Sequence, residues 1–257
     1  MKKLYLSTFI FALVSQSSYA YSQQGTYTLS TGTTFTSGDY GSPDTTEIFY
    51  IPVSLKYKTE KAYVKLTVPY LSVKGPQNVI RDIGQVTSPS TTKIDTNSGL
   101  GDIVFSTGYR LFYLPKSKTL LNIDGKIKFG TANENKRLGT GKNDYSLSLG
   151  LYKLMGNFTP YATFGRKFYG ETATTKLDDV FFGSFGLGYK ISQQMSTGVN
   201  YYLKEATANS RPITRQLSTY LSYKMDQNWK VQAYLIRGIS DNTPDLGGGF
   251  SLAYQFN

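Results

Sequence analysis

From residue 26 onward, apolar and polar positions alternate with period two, the signature of strands that bury one face and wet the other. Phe49, Ile51, Val53, Leu55 and Tyr57 alternate with Tyr50, Pro52, Ser54 and Lys56. Ala62, Val64, Leu66, Val68 and Tyr70 stand against Tyr63, Lys65, Thr67 and Pro69. Ile103, Phe105, Thr107, Tyr109 and Leu111 oppose Asp102, Val104, Ser106, Gly108 and Arg110. The clearest run sets Leu121, Ile123, Gly125, Ile127 and Phe129 against Asn122, Asp124, Lys126, Lys128 and Gly130. Further runs follow through Tyr145–Leu151, Phe181–Tyr189, Val199–Leu203 and Leu217–Tyr223. The segments near Tyr27–Thr36, Phe158–Tyr169 and Trp229–Arg237 alternate less cleanly, and their facing is left open. The pattern predicts about twelve strands, an even number, as a closed bacterial barrel requires.

The connections sharpen this reading. Every second one is short: Lys58–Lys61, Leu114–Lys118, Lys153–Asn157, Ser192–Gln194 and Met225–Asn228. The others are longer and polar: Ser37–Thr46, Lys74–Leu100, Ala132–Asn143, Gly170–Asp178, Glu205–Pro212 and Ser240–Gly247. Short turns at one end and long loops at the other characterise outer-membrane barrels, whose periplasmic turns are tight. Aromatics border the short turns: Tyr57 and Tyr63, Tyr113, Tyr152 and Phe158, Tyr189, Tyr223 and Trp229. Such rings prefer the membrane–water boundary and are read as a girdle, with Tyr70, Phe105, Phe129, Tyr145, Phe181 and Tyr201 as its counterpart.

Alternation by itself does not say which face points out, and a soluble barrel or lipocalin-like cup has the same period. Three features favour apolar-out. The polar faces are rich in Gly, Ser and Thr, which suits a wet lumen. Lys126 and Lys128 share a face with Asp124, and each would cost roughly 2–4 kcal/mol facing lipid at the midplane. The last strand, with Phe250, Leu252, Tyr254 and Phe256 on one face, resembles the C-terminal signal read by the outer-membrane insertion machinery, although Asn257 follows the final aromatic. The expected fold class is all-β, a transmembrane antiparallel up-and-down β-barrel in the outer membrane of a Gram-negative bacterium.

The N-terminus changes the picture by adding export. Lys2 and Lys3 precede the apolar run Leu4–Val14, and Ser18 and Ala20 occupy the small-residue positions of a signal-peptidase site. Residues 1–20 are expected to be a cleaved signal peptide and residues 21–257 one barrel domain. After Ala20 no window has the roughly 18 apolar residues of a membrane helix.

Two segments carry a family resemblance. One is Phe49-Tyr-Ile-Pro-Val-Ser-Leu-Lys-Tyr57 with Leu66-Thr-Val-Pro-Tyr70 and Gly75-Pro76; the other is Gly99-Leu-Gly-Asp-Ile-Val-Phe-Ser-Thr-Gly-Tyr-Arg-Leu111. Together they resemble the transporter-like outer-membrane barrels of the phenol-degradation meta-pathway family. The resemblance implies a barrel and uptake of small compounds, aromatic ones among them.

Candidate chemistry narrows the function further. The chain has no His and no Cys, so it lacks the usual proton carrier of barrel hydrolases and the commonest first-row metal ligands. No enzyme activity and no cofactor or metal are expected. Gly139-Thr-Gly-Lys142 hints at a phosphate loop, but Asn143 stands where Ser or Thr is needed. Asp178, Asp179, Asp241 and Asp245 lack calcium-loop spacing and are read as solvated loop charge. Removing Lys2 and Lys3 takes the formal charge from +11 to +9. One reading is a basic lumen, because rings of basic side chains favour anions in pores. The other places Lys56, Lys190, Lys224 and Lys230 at the interface, and Lys74, Lys136, Arg137 and Lys142 against lipopolysaccharide phosphates. The basic residues are too dispersed for nucleic-acid binding.

The resulting expectation is a channel or transporter passing a small anionic or aromatic solute, with Lys65, Asp102, Ser106, Arg110, Asp124, Lys126 and Lys128 lining its lumen. Loop Lys74–Leu100, the longest, is the expected constriction. The partners would be outer-membrane lipid and lipopolysaccharide, the insertion machinery through Phe250, Leu252, Tyr254 and Phe256, and the solute. The alternative is a non-conducting structural barrel that binds partners through its long loops.

Overall fold

A computed structural model describes residues 25–76, 79–80, 84–85, 94–170, 177–208 and 212–256. The expected signal peptide lies outside these residues. The strands are β1 (Thr26–Gly38), β2 (Thr46–Lys58), β3 (Ala62–Pro76), β4 (Val79–Ile80), β5 (Gly84–Gln85), β6 (Ile94–Leu100), β7 (Val104–Leu114) and β8 (Thr119–Lys128). They continue as β9 (Asp144–Lys153), β10 (Phe158–Phe168), β11 (Val180–Lys190), β12 (Met195–Lys204), β13 (Thr214–Lys224), β14 (Trp229–Gly238) and β15 (Leu246–Phe256). No helix occurs among the described residues.

The sheet closes on itself. From β2 the order runs through β1 and β15 back down the chain to β7 and β3, and β3 pairs again with β2. Every pairing is antiparallel, with β1 meeting β15 where the two ends of the chain join. β3 is long enough for two partners on one side: its lower half pairs with β7 and its upper half with β6. Together β6 and β7 form a single stave, so the thirteen strands of the sheet make twelve staves. Closure pairs β1–β3 and β7–β15 on both sides, which is the condition for strands to cross hydrocarbon, while β6 pairs with β3 alone at the upper rim.

The apolar faces point outward. Leu147, Phe164, Phe185 and Leu235 are 54, 61, 56 and 61% exposed, whereas Ser54 and Ser222 on the opposite faces are 4 and 2% exposed. A soluble barrel would invert this. The three segments left open by the pattern, now β1, β10 and β14, obey the same rule. Phe158, Phe164 and Phe168 face out along β10, and Tyr161, Thr163 and Lys167 face in.

Around the short-turn end the outward rings touch in sequence. Tyr27 lies 4.8 Å from Tyr57 and 5.6 Å from Phe256, Phe256 6.0 Å from Tyr254, and Tyr254 4.7 Å from Trp229. Phe158 and Tyr189 add a further pair at 4.8 Å. This is the girdle of an interface. Two residues assigned to it on sequence, Tyr63 and Tyr152, turn into the lumen instead, because each sits one residue out of phase with its outward neighbours. A bulge between Arg110 and Phe112 shifts the phase at the bottom of β7.

The longest connection is partly strand. β3 runs on to Pro76, β6 pairs with its upper half, and β4 pairs with β5. The rest of 77–93 lies outside the described residues. The constriction expected of this loop falls largely on those residues. Among the described residues, the segment 129–143, between β8 and β9, folds inward.

Candidate functional site: the barrel lumen

Cross-strand register places the inward side chains in rows. Lys56 of β2 pairs with Lys65 of β3, Lys65 with Ser106 of β7, and Ser106 with Lys126 of β8. Lys126 then pairs with Ser146 of β9, and Ser146 with Lys167 of β10. Four lysines and two serines thus share one continuous row. Neighbouring strands stand about 4.8 Å apart, so its five steps span about 24 Å. Strands in such barrels tilt by about 35–45°, so the row climbs as it crosses them. It starts at the periplasmic end of β2 and finishes at the extracellular end of β10.

Three of the sequence-predicted lumen residues, Lys65, Ser106 and Lys126, lie in this row. Lys56, expected at the interface, points inward with its ammonium 4.3 Å from the Tyr63 ring centroid. Lys167 escaped the sequence reading because its strand alternates poorly.

The other predicted residues have different surroundings. Lys128, one step above the row, donates to Asp102 Oδ2 at 2.7 Å and lies 3.4 Å from Asp144 Oδ2. Lys167 reaches the same Asp144 oxygen at 3.4 Å. Asp102 accepts the Ala132 amide at 2.9 Å, and Asp144 accepts the Gly170 amide at 3.2 Å. Lys128 and Asp102 are therefore a strut holding the 129–143 segment. Asp124 sits below the row and accepts the Tyr63 hydroxyl at 2.7 Å. Arg110 lies at the periplasmic rim, bonded to the Glu60 carbonyl and 3.9 Å from the Glu60 carboxylate in the β2–β3 turn. The inward carboxylates of β8 and β9 are thus already engaged, while Lys56 and Lys65 form no ion pair among the described residues. The net field of this wall is positive.

The opposite arc is aromatic, and its inward lysines, Lys190, Lys204, Lys224 and Lys230, are confined to the strand ends. Tyr152, Tyr161, Tyr202, Tyr220 and Tyr234 enter the lumen from β9 to β14. Tyr152 and Tyr161 stack at 5.7 Å. The Tyr161 hydroxyl donates to Asn200 Oδ1 at 2.8 Å, and the Tyr234 and Thr34 hydroxyls bond one another. The rings have room because they lie over glycines of neighbouring strands. A Cβ on Gly186 would meet Tyr161 at 2.6 Å, one on Gly198 would meet Tyr220 at 2.7 Å, and one on Gly249 would meet Tyr234 at 2.6 Å. Sequence reasoning weighed tyrosines as girdle residues and missed this wall; the signal available was an inward glycine paired with an out-of-phase tyrosine.

At the extracellular mouth the lumen narrows. Ile48 and Leu71 point inward from β2 and β3 and are 2 and 3% exposed. Tyr40 comes down from the β1–β2 loop, and Ala132 and Leu138 from the 129–143 segment, to complete a buried apolar cluster. Gly141 takes φ +64°, a left-handed conformation suited to glycine, to turn the chain back out. Gly139-Thr-Gly-Lys142, the apparent phosphate loop, is part of this segment. A Cβ on Gly139 would lie 2.7 Å from Asp102 Oδ2, so it gives the strut its clearance.

A family profile described as "Putative MetA-pathway of phenol degradation" matches residues 14–256 of this sequence. No curated protein sequence matches it significantly. Among solved structures, an outer membrane channel from Pseudomonas putida F1 superposes with a TM-score of 0.70 at 14% identity, covering 90% of this chain and 96% of that one. The KdgM porin superposes with a TM-score of 0.58 at 11% identity, over 90% of this chain and 99% of its own. The translocator domain of the autotransporter NalP from Neisseria meningitidis gives 0.51 at 10% identity, over 90 and 88%. At such identities the likeness is one of fold, an outer-membrane β-barrel.

Proposed function

The chain belongs to the phenol-degradation MetA-pathway family of outer-membrane barrels, and from that premise we propose that it is a non-catalytic channel for small solutes, with anions and ring-bearing molecules favoured. The observation that carries this reading is the two-walled lumen. A lysine row climbs one wall and tyrosines line the other. Ammonium groups along a path lower the energy of an anion at successive positions without trapping it at one, as conduction requires. Tyrosine faces and hydroxyls offer a planar solute stacking and hydrogen bonds on the other side. The segment 129–143 would set the width of the outer mouth.

Residues 1–20 act in this proposal as the export signal. Phe250, Leu252, Tyr254 and Phe256 on the outer face of β15 serve recognition by the insertion machinery. A second reading has one specific observation in its favour: the apolar cluster of Tyr40, Ile48, Leu71, Ala132 and Leu138 narrows the mouth. A fully closed mouth would leave an interaction barrel working through its loops.

Single-channel recording on refolded mature protein, with reversal potential under a salt gradient, separates the two. Discrete steps with anion preference are expected. Replacing Lys65 and Lys126 together by Ser should move the reversal potential towards neutrality while the steps persist. Unchanged selectivity in that variant would overturn the lysine path. Protein that is folded yet never conducts would favour the interaction barrel.

A further inference from the structure

The lipid-facing surface carries an arginine pair that the lumen does not use. Outward charges among the described strand residues sit near strand ends, and several are already matched. Glu47 and Lys74 pair at 3.2 Å. Arg166 lies 4.0 Å from Asp179, with its guanidinium 5.1 Å from the Phe181 ring centroid and 5.3 Å from that of Phe168. Lys136, a loop residue expected against lipid phosphates, reaches the Ser98 carbonyl at 3.5 Å.

Arg215 and Arg237 differ. Arg215 is the second residue of β13 and Arg237 the penultimate residue of β14, both at the extracellular end. Leu217 pairs with Arg237, and the Ile239 amide donates to the Arg215 carbonyl at 2.9 Å, so the two arginines are diagonal neighbours on one face. Diagonal positions lie about 7–8 Å apart, a gap that two guanidinium groups can close around one tetrahedral anion. Arg237 Nη1 donates to the Asp245 carbonyl at 2.9 Å, which steadies the group without neutralising it. The Arg215 guanidinium meets no partner among the described residues.

Their frame is apolar. Leu203 and Leu246 flank them on adjacent strands, and Leu217 and Leu235 lie below. Above them Ile213 and Ile239 are 41 and 51% exposed. The pair is thus set at the upper edge of the hydrocarbon-facing band, with Arg237 in the row of Tyr201 and Leu217. An uncompensated cation is disfavoured there, and a small free anion has no reason to leave water for it. An anion that carries its own acyl chains satisfies both conditions, with its chains on the leucines and its phosphate in the arginine fork.

We propose that Arg215 and Arg237 form a binding site for the phosphate of an outer-leaflet phosphorylated glycolipid, lipopolysaccharide being the occupant. The site lies outside the lumen and is independent of what passes through it. The test is native mass spectrometry of refolded mature protein in detergent, titrated with deep-rough lipopolysaccharide and with the same material stripped of its phosphates. Wild-type protein should retain the phosphorylated form at least about tenfold more tightly, the scale of losing charge-assisted hydrogen bonds. Arg215→Gln with Arg237→Gln should abolish that difference, and Arg215→Lys with Arg237→Lys should keep part of it. Equal retention of the two lipids by wild-type protein would overturn the site, whether or not the variants fold. Displacement of the lipid by an equal concentration of inorganic phosphate would also overturn it, by making it an ion site.

Discussion

Tyr63, Asp124 and Gly108 show how tightly single residues are matched inside the barrel. The Tyr63 hydroxyl donates to Asp124 at 2.7 Å, and both groups lie over Gly108, where a Cβ would come within 2.3 Å of the ring and 2.4 Å of the carboxylate. Gly108→Ala should therefore displace both, at about 1–3 kcal/mol of overpacking. The measurement is the urea midpoint of the protein folded in vesicles. Tyr63→Phe removes only the donor, and lumen water can replace it, so a smaller loss of about 1 kcal/mol is expected in the same assay. A larger cost for Tyr63→Phe than for Gly108→Ala would show that the packing argument is wrong. At this scale the sequence was read partly amiss: Tyr63 and Tyr152 border short turns and so looked interfacial. Position along a strand is visible in sequence, but the face depends on the phase of the alternation. Both tyrosines sit out of phase with the outward aromatics.

Two elements have functions that can be tested separately. The segment 129–143 is held inward by the Lys128–Asp102 pair and by Leu138 in the apolar cluster. Asp102→Asn should weaken the strut and strip Lys128 of its nearest counter-charge. The expected outcome is a larger or noisier unitary conductance with the barrel intact, and a stability loss of about 1–3 kcal/mol. An unchanged conductance trace would show that the segment does not limit the path. At the other end, Phe256 of β15 stacks on Tyr27 across the seam where first and last strands meet. Phe256→Ala removes a ring contact worth about 0.5–1.5 kcal/mol and an element of the proposed insertion signal. Slower appearance of the heat-modifiable band on detergent gels is expected, with an unaltered final yield of pore. The strands themselves were legible, because alternation and turn length are local properties. The inward course of 129–143 was not, since its anchors, Asp102 and Leu71, are distant along the chain.

For the whole molecule, the two-walled lumen makes a prediction that no single residue does. Anion preference should survive loss of any one lysine of the row and should fall progressively as Lys56, Lys65 and Lys126 are replaced in turn. Reversal potential measured across that series is the check. A collapse at one substitution would mean a single binding site in place of a path. The amino-acid sequence by itself determined the barrel, its twelve staves, its short-turn and long-loop ends and its apolar exterior. Each of these follows from period-two patterning and from the energy of keeping lysines out of lipid. Only the tertiary structure decided which inward residues are neighbours. A slip of one strand by two residues preserves every inward and outward position, so the pattern does not report it. The pairing of Lys56 with Lys65, of Lys126 with Ser146 and of Leu217 with Arg237 depends on register, which is set by closing the sheet on itself. The lysine row, the strut on the inward segment and the arginine pair all arise at that step.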